Sequence, residues 1–191
     1  MEKLCMPFDP LQQYGIVYAR NLPFDGLLSI QPFTDDAMRL LVFDWVKREF
    51  IKGLWPVDPV APHIFSDMLA EKLESDFAQA LLGHIDGEPA FLLEVSCEYR
   101  SGENEVTLFL PDDYVMQLLI RHDLQADHEL CLLIIAFCVE FIFSYGEVNR
   151  LFVQTDLKKH PLASLYKEAG FVFEQNIKQR GEAFSLLKMD R

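Results

Sequence analysis

The chain has 191 residues, 50% hydrophobic and 25% charged, with a formal net charge of −13. That length suffices for one sizeable core, and the composition excludes a disordered or collagen-like chain. The acid excess argues against nucleic acid, whose phosphates bind through clustered Lys and Arg, and weakly favours a cationic substrate such as an amine.

The N-terminus, MEKLCMPFDP, lacks a basic segment followed by an apolar one, so a cytoplasmic protein without a signal peptide is expected. Cys5, Cys97, Cys131 and Cys138 show no CxxC spacing and read as buried thiols rather than metal ligands. The longest apolar run, Leu130 to Phe143, is interrupted by Glu140 and falls short of the roughly 20 residues that span a bilayer. It reads as a core helix, and no membrane partner is expected.

In chain order, YGIVYA and LLSIQPF are two short extended runs separated by the turn signals of NLPFDG. Together they make a β-arm. Thr34 can cap a helix running to about Lys52, with Asp35 and Asp36 in its first turn. WPVDPVAP interrupts, its three prolines biasing the backbone to extended or turn geometry, and a second helix is expected from about Ile64 to Glu74. AQALLGHI and PAFLLEVSCEY flank Asp86-Gly87, a hairpin signal between two antiparallel strands. EVTLFL and YVMQLLI are further strand runs, and a helix is expected over 128–145. The stretch RLFVQTDLKKHPLASLYKEAGFVFEQ then packs strand, helix and strand into 26 residues. Pro161 opens that helix, Leu162, Leu165, Tyr166 and Ala169 share a face, and Gly170 closes it before Phe171-Val-Phe173 resumes as strand. The order implies an α/β domain with a mixed sheet, antiparallel in front and parallel where 114–120 and 151–155 are joined by a helical crossover.

This pattern, with LYKEAGF at 165–171 as its most specific piece, resembles the GNAT superfamily of acyl-CoA-dependent N-acyltransferases. The opening arm, DWVKREFIKGLW, GHIDGEPAFLLEV, YVMQLLI and Asp156 are most similar to its siderophore-biosynthesis branch, which acts on hydroxylated lysine or diamine side chains. The resemblance implies one domain over 1–191: a β-arm at 1–33, a helical acceptor-side segment at 34–76, and a sheet and cofactor-side core at 77–191. It implies acetyl-CoA or another acyl-CoA as co-substrate, no metal, a small amine or hydroxylamine acceptor and a homodimer as a possible assembly. Two departures stand out. The superfamily's turn before the long helix is Gly-rich, whereas RHDLQADHELC has no glycine and carries Asp123, Asp127 and Glu129. The siderophore branch uses a histidine where this strand has Gln117, and an amide is no general base.

The resemblance assigns Tyr166 to protonating the leaving thiolate; the residues alone allow plain packing on an amphipathic helix equally well. Asp156, at the end of a parallel strand, is placed to orient the nucleophile, or else serves as a helix-entry carboxylate. The resemblance puts the cofactor against Leu119 and Ile120, the amide of one or the other facing the thioester oxygen, and against Arg121, Gln125, Ala126, Asp127 and His128. Trp55, Gln117 and Glu94 are the acceptor-side candidates. His84 and Glu94 have the chemistry to take a proton from an amine. Arg121, His122, Lys158, Lys159 and His160 form a local basic group that screens phosphates or is an ordinary solvated loop. The rival reading is a GNAT-fold module that binds a ligand or partner without catalysis.

Overall fold

The computed structural model describes residues 15–22, 26–33, 41–45, 63, 67, 71, 75–101, 109–155, 163–179 and 182–191. β1 (Tyr18–Asn21) and β2 (Leu27–Pro32) form the expected arm, and β2 pairs antiparallel with β3 (Ala78–Ile85). Asp86 and Gly87 join β3 to β4 (Glu88–Ser96) with φ of 52° and 83°. Two successive left-handed residues match the twist of a two-residue hairpin, which is why Asp-Gly signals it. The strand read as reaching Tyr99 stops at Ser96. Cys97 donates its backbone N–H to Phe77 O, and the chain turns into the short helix α1 (Glu98–Ser101).

β5 (Asp113–Ile120) pairs antiparallel with β4 and is followed by α2 (His128–Ser144) and β6 (Arg150–Thr155). β6 runs parallel to β5, as the crossover requires. α3 (Ala163–Glu168) ends at Gly170, whose φ of 104° makes it the left-handed cap expected. Then come β7 (Val172–Gln179) and β8 (Glu182–Asp190), the latter absent from the sequence expectation. β8 inserts between its neighbours, giving the sheet order β1-β2-β3-β4-β5-β6-β8-β7. Of EVTLFL, Phe109 and Leu110 are not in a strand, and 105–108 lie outside the described residues.

Strand alternation sends β5 side chains to two different cores. Tyr114, Met116, Leu118 and Ile120 pack with Cys131, Ile134, Ile135, Cys138 and Phe141 of α2 and with Leu165 and Tyr166 of α3. The 17 residues of α2 are apolar almost all round because the sheet and α3 both press on it. On the opposite face, Leu119 joins Phe33, Val42, Phe43, Trp45, Ala80, Leu82 and Leu92. Residues 41–45 are helical, as are His63, Asp67 and Glu71, in keeping with the two expected helices. The proline-rich stretch between them, with Trp55, lies outside the described residues. Cys97, Cys131 and Cys138 are buried free thiols. Among the described residues no helix is long and apolar enough to cross a membrane.

Candidate functional site

The parallel ladder is closed at one end and open at the other. β5 and β6 pair from Asp113 with Arg150 to Met116 with Val153 and then part, although β5 continues to Ile120 and β6 to Thr155. β6 keeps its ladder with β8 through Thr155 and Ser185, so the gap lies between β5 and β6 alone. Arg121 N donates to Ala90 O across the β4 side. Alternation then turns the Leu119 amide toward β4 as well and those of Leu118 and Ile120 toward the gap. Of the two amides named from the sequence, the one that faces the opening is Ile120's.

The glycine-free turn closes this end of β5. A single 3-10 turn, His122–Leu124, tightens it, and none of its residues has a positive φ, so glycine's freedom is not needed for this path. Arg121 forks onto both oxygens of Asp123 (2.7 and 3.1 Å) and donates to Pro89 O at 2.6 Å. The guanidinium holds the Asp123 carboxyl below its ordinary range. Gln125 donates its side-chain amide to Ile120 O at 2.8 Å, on the same edge as the gap-facing amide. Asp127 is the N-cap of α2, its carboxylate accepting the Leu130 amide at 3.0 Å. With Cys131 N already bonded to Asp127 O, the amides of His128 and Glu129 are the helix's remaining first-turn donors. His128 Nε2 meets Glu168 Oε2 at 3.0 Å, tying this corner to the end of α3. Ala126 is exposed between them.

Tyr166 lies on the α2 side of the sheet, 2% exposed. Its ring meets Phe171 edge-on at 5.6 Å, in the same core cluster as Cys138. Burial, reinforced by Cys138, pushes its phenol well above the ordinary tyrosine range. The group is therefore a protonated donor at neutral pH. Its thiol neighbour is pushed up by the same burial.

On the opposite face, Glu94 and Gln117 are direct cross-strand partners. Glu94 is 4% exposed and Gln117 half-buried. Gln117 follows Met116 as Gln154 follows Val153, so Glu94, Gln117 and Gln154 form a polar row at the level where the parallel ladder opens. Gln154 escaped notice in the sequence. Its signal is weak, a polar residue alternating with Phe152 in an apolar strand, and only the strand register puts it level with Gln117. His84 stands elsewhere, at the β2–β3 end opposite Ser29, with its pKa lowered by burial. Asp156, Lys158, Lys159 and His160 lie outside the described residues, as does Trp55. Among the described residues no cluster of His, Cys, Asp and Glu could hold a metal ion.

No curated protein matches the chain. Among solved structures it resembles an uncharacterised protein from Bacillus halodurans at 16% identity and a TM-score of 0.79, covering 91% of this chain and 89% of that one. An aminoglycoside acetyltransferase, AAC(6')-Ib, in complex with coenzyme A, matches at 17% identity and a TM-score of 0.70, covering 86% and 95%. Mycobacterium smegmatis RimJ in complex with CoA-disulfide matches at 14% identity and a TM-score of 0.63, covering 86% and 82%. These likenesses establish the fold. The model of the acetyltransferase (GNAT) domain matches residues 35–179, three-quarters of the sequence, and the chain therefore belongs to the GNAT acetyltransferase domain family.

Proposed function

We propose that this protein is an acyl-CoA-dependent N-acyltransferase that moves an acetyl group onto a primary amine or hydroxylamine by direct attack. The observation that carries the reading is the opening of the β5–β6 ladder beyond Met116 and Val153, which leaves the Ile120 amide facing a gap between two strands. A pantetheine arm fits such a gap as an extra strand would. The Ile120 amide then meets the thioester oxygen, a preorganised donor where negative charge develops. Leu119 walls the opposite face. Holding both reactants in this gap supplies much of the remaining acceleration.

In this reading the first-turn amides of α2 at His128 and Glu129 take the diphosphate, with Arg121, Gln125, Ala126 and Asp127 around it. Tyr166 gives its proton to the departing thiolate. Asp156 orients the acceptor, and Trp55, Gln117 and Glu94 line its pocket. A net charge of −13 suits a cationic acceptor. Neighbours solved with kanamycin or ribostamycin make polyamine acceptors a natural class to test, beside the hydroxylated diamines of siderophore assembly. A homodimer belongs to the same reading.

Calorimetric titration with acetyl-CoA and free CoA, followed by thiol release on a panel of amines and hydroxylamines, tests the proposal. Binding with turnover of at least one acceptor is expected. One observation favours a second reading, a non-catalytic ligand-binding module: the α2 N-terminus is already capped by Asp127, and Asp123 and Glu129 stand beside it. Absence of heat at millimolar acetyl-CoA would favour that module.

A further inference from the structure

Thr155, the last residue of β6, buries a hydroxyl that its surroundings leave unused. The residue is 0% exposed, and among the described residues its Oγ1 has no hydrogen-bond partner. Burial strips water from such a group without returning a bond, and a valine of the same shape would avoid the loss. A ligand is the natural partner for a polar group so placed.

The strand register fixes which way the side chain faces. β6 pairs with β8 without a break from Arg150 to Thr155, so side chains alternate throughout. Phe152 packs with Val115 and Leu186 on one face, whereas Leu151 and Val153 lie on the other with α2 and Tyr166. Thr155 therefore belongs to the Tyr166 face. Its cross-strand neighbour on β8, Ser185, places its hydroxyl 3.0 Å from Asn176 Oδ1 of β7, on the side of β8 away from β6. Along the strands, Thr155 comes two residues after the last β5–β6 rung, Met116 with Val153. It thus stands at the narrow end of the opening, level with the buried side chain of Leu118.

We infer that Thr155 reads the acyl group, and that the protein prefers a short acyl chain with a hydroxyl next to the thioester carbonyl over bare acetyl. The inference rests on the acyl-transfer reading, in which the diphosphate lies at α2 and the thioester oxygen at the Ile120 amide. The narrow end, two residues or about 6.6 Å deeper than Ile120, then receives what the thioester carries. A carbonyl, one further carbon, its hydroxyl and a hydrogen bond of about 2.8 Å span that distance. Such a hydroxyl can donate to Thr155 or accept from it, whereas a methyl leaves the threonine without a partner.

The test is calorimetric and uses an isosteric pair: glycolyl-CoA carries a hydroxyl where propionyl-CoA carries a methyl. The full chain should bind glycolyl-CoA about tenfold more tightly than propionyl-CoA, the worth of one neutral hydrogen bond. Thr155→Val should erase that preference, leave the affinity for free CoA within about twofold, and hold or raise the midpoint of urea unfolding. Thr155→Ser, which keeps the hydroxyl, should keep the preference. The inference falls if the unaltered chain shows no preference or if the valine variant retains it. It falls too if that variant weakens CoA and both thioesters alike or unfolds at lower urea, because the hydroxyl would then serve the fold. Failure of CoA and both thioesters to bind the unaltered chain overturns instead the acyl-transfer reading beneath it.

Discussion

Arg150 donates through Nε and a terminal nitrogen to both carboxylate oxygens of Asp113, its register partner at the first rung of the parallel ladder. Asp113 is 1% exposed and also accepts the Leu110 amide at 2.6 Å, while Arg150 stacks over the Phe152 ring at 5.2 Å. The pair clamps β5 to β6 at the end away from the gap. Arg150→Met strands a buried carboxylate and should cost about 3 kcal/mol, whereas Asp113→Asn leaves a cation with some access to water and should cost less. Urea denaturation of the two variants gives the order directly, and a reversed order would mean that the carboxylate is well solvated.

Gly83 sits under the Phe91 ring. A Cβ built there lies 2.0 Å from the nearest ring carbon, and Phe91 in turn meets Phe137 of α2 edge-on at 6.3 Å. The ring is fully buried. Gly83→Ala should destabilise by at least about 2 kcal/mol, as overpacking does, and most of that penalty should vanish in a Phe91→Ala background. Additive losses in the double-mutant cycle would count against the steric account.

Asp127 has two opposed roles if α2 receives phosphates. As an N-cap it supports the helix, and as an anion it repels the ligand. Asp127→Asn keeps a capping oxygen and removes the charge, so stability should change by less than about 1 kcal/mol. Acetyl-CoA should bind several-fold more tightly to that variant. Weaker binding, measured by calorimetry, would place the diphosphate elsewhere.

Tyr166→Phe keeps the ring against Phe171 and deletes only the hydroxyl. If the phenol protonates the thiolate, kcat should fall at least about tenfold while KM for acetyl-CoA stays within about twofold. Because burial raises its pKa, no alkaline loss of activity from this group is expected near neutral pH. An unchanged kcat would return Tyr166 to a packing role.

His84 gives the fold a pH dependence. Burial lowers its pKa below the ordinary 6.5, against smaller opposing effects of the Leu82 backbone and Glu88. As pH falls through 6.5 the unfolded chain takes a proton that the folded chain declines. Stability contributed by the neutral imidazole is therefore complete above 6.5 and is lost as pH falls toward the depressed folded value. His84→Leu should flatten the decline in urea midpoint between about pH 7.5 and about pH 5, and an unaltered slope would assign the decline to other groups.

Local patterning made much of the architecture legible in the sequence. Asp86-Gly87, the apolar run of α2 broken only by Glu140 and the frame ending in Gly170-Phe171 each report a backbone requirement met within a few residues, and each led to the right element. The resemblance built on that frame pointed to the family matched over 35–179. β8 was not legible, because EAFSLLKMD alternates only loosely and its place between β6 and β7 depends on pairing with residues far away in sequence. The strand drawn to Tyr99 overran because Cys97 still pairs, and only the next residues turn away.

The candidate site divides along the same line. The sequence by itself determined the residue types, a phenol on α3, a carboxylate on β4, an amide on β5 and acids in a turn without glycine, because these are matters of identity and local spacing. Tertiary structure decided which of them can act together. Where the parallel ladder stops is a relation between two strands joined by a long crossover, and it alone leaves the Ile120 amide facing a gap and sets Gln154 level with Gln117 and Glu94. The turn's chemistry also changed with coordinates: Arg121 is held by Asp123, and Asp127 caps the helix whose dipole a phosphate would seek. Such balances depend on distances of a few ångströms between groups from different elements, and no periodicity within one element encodes them.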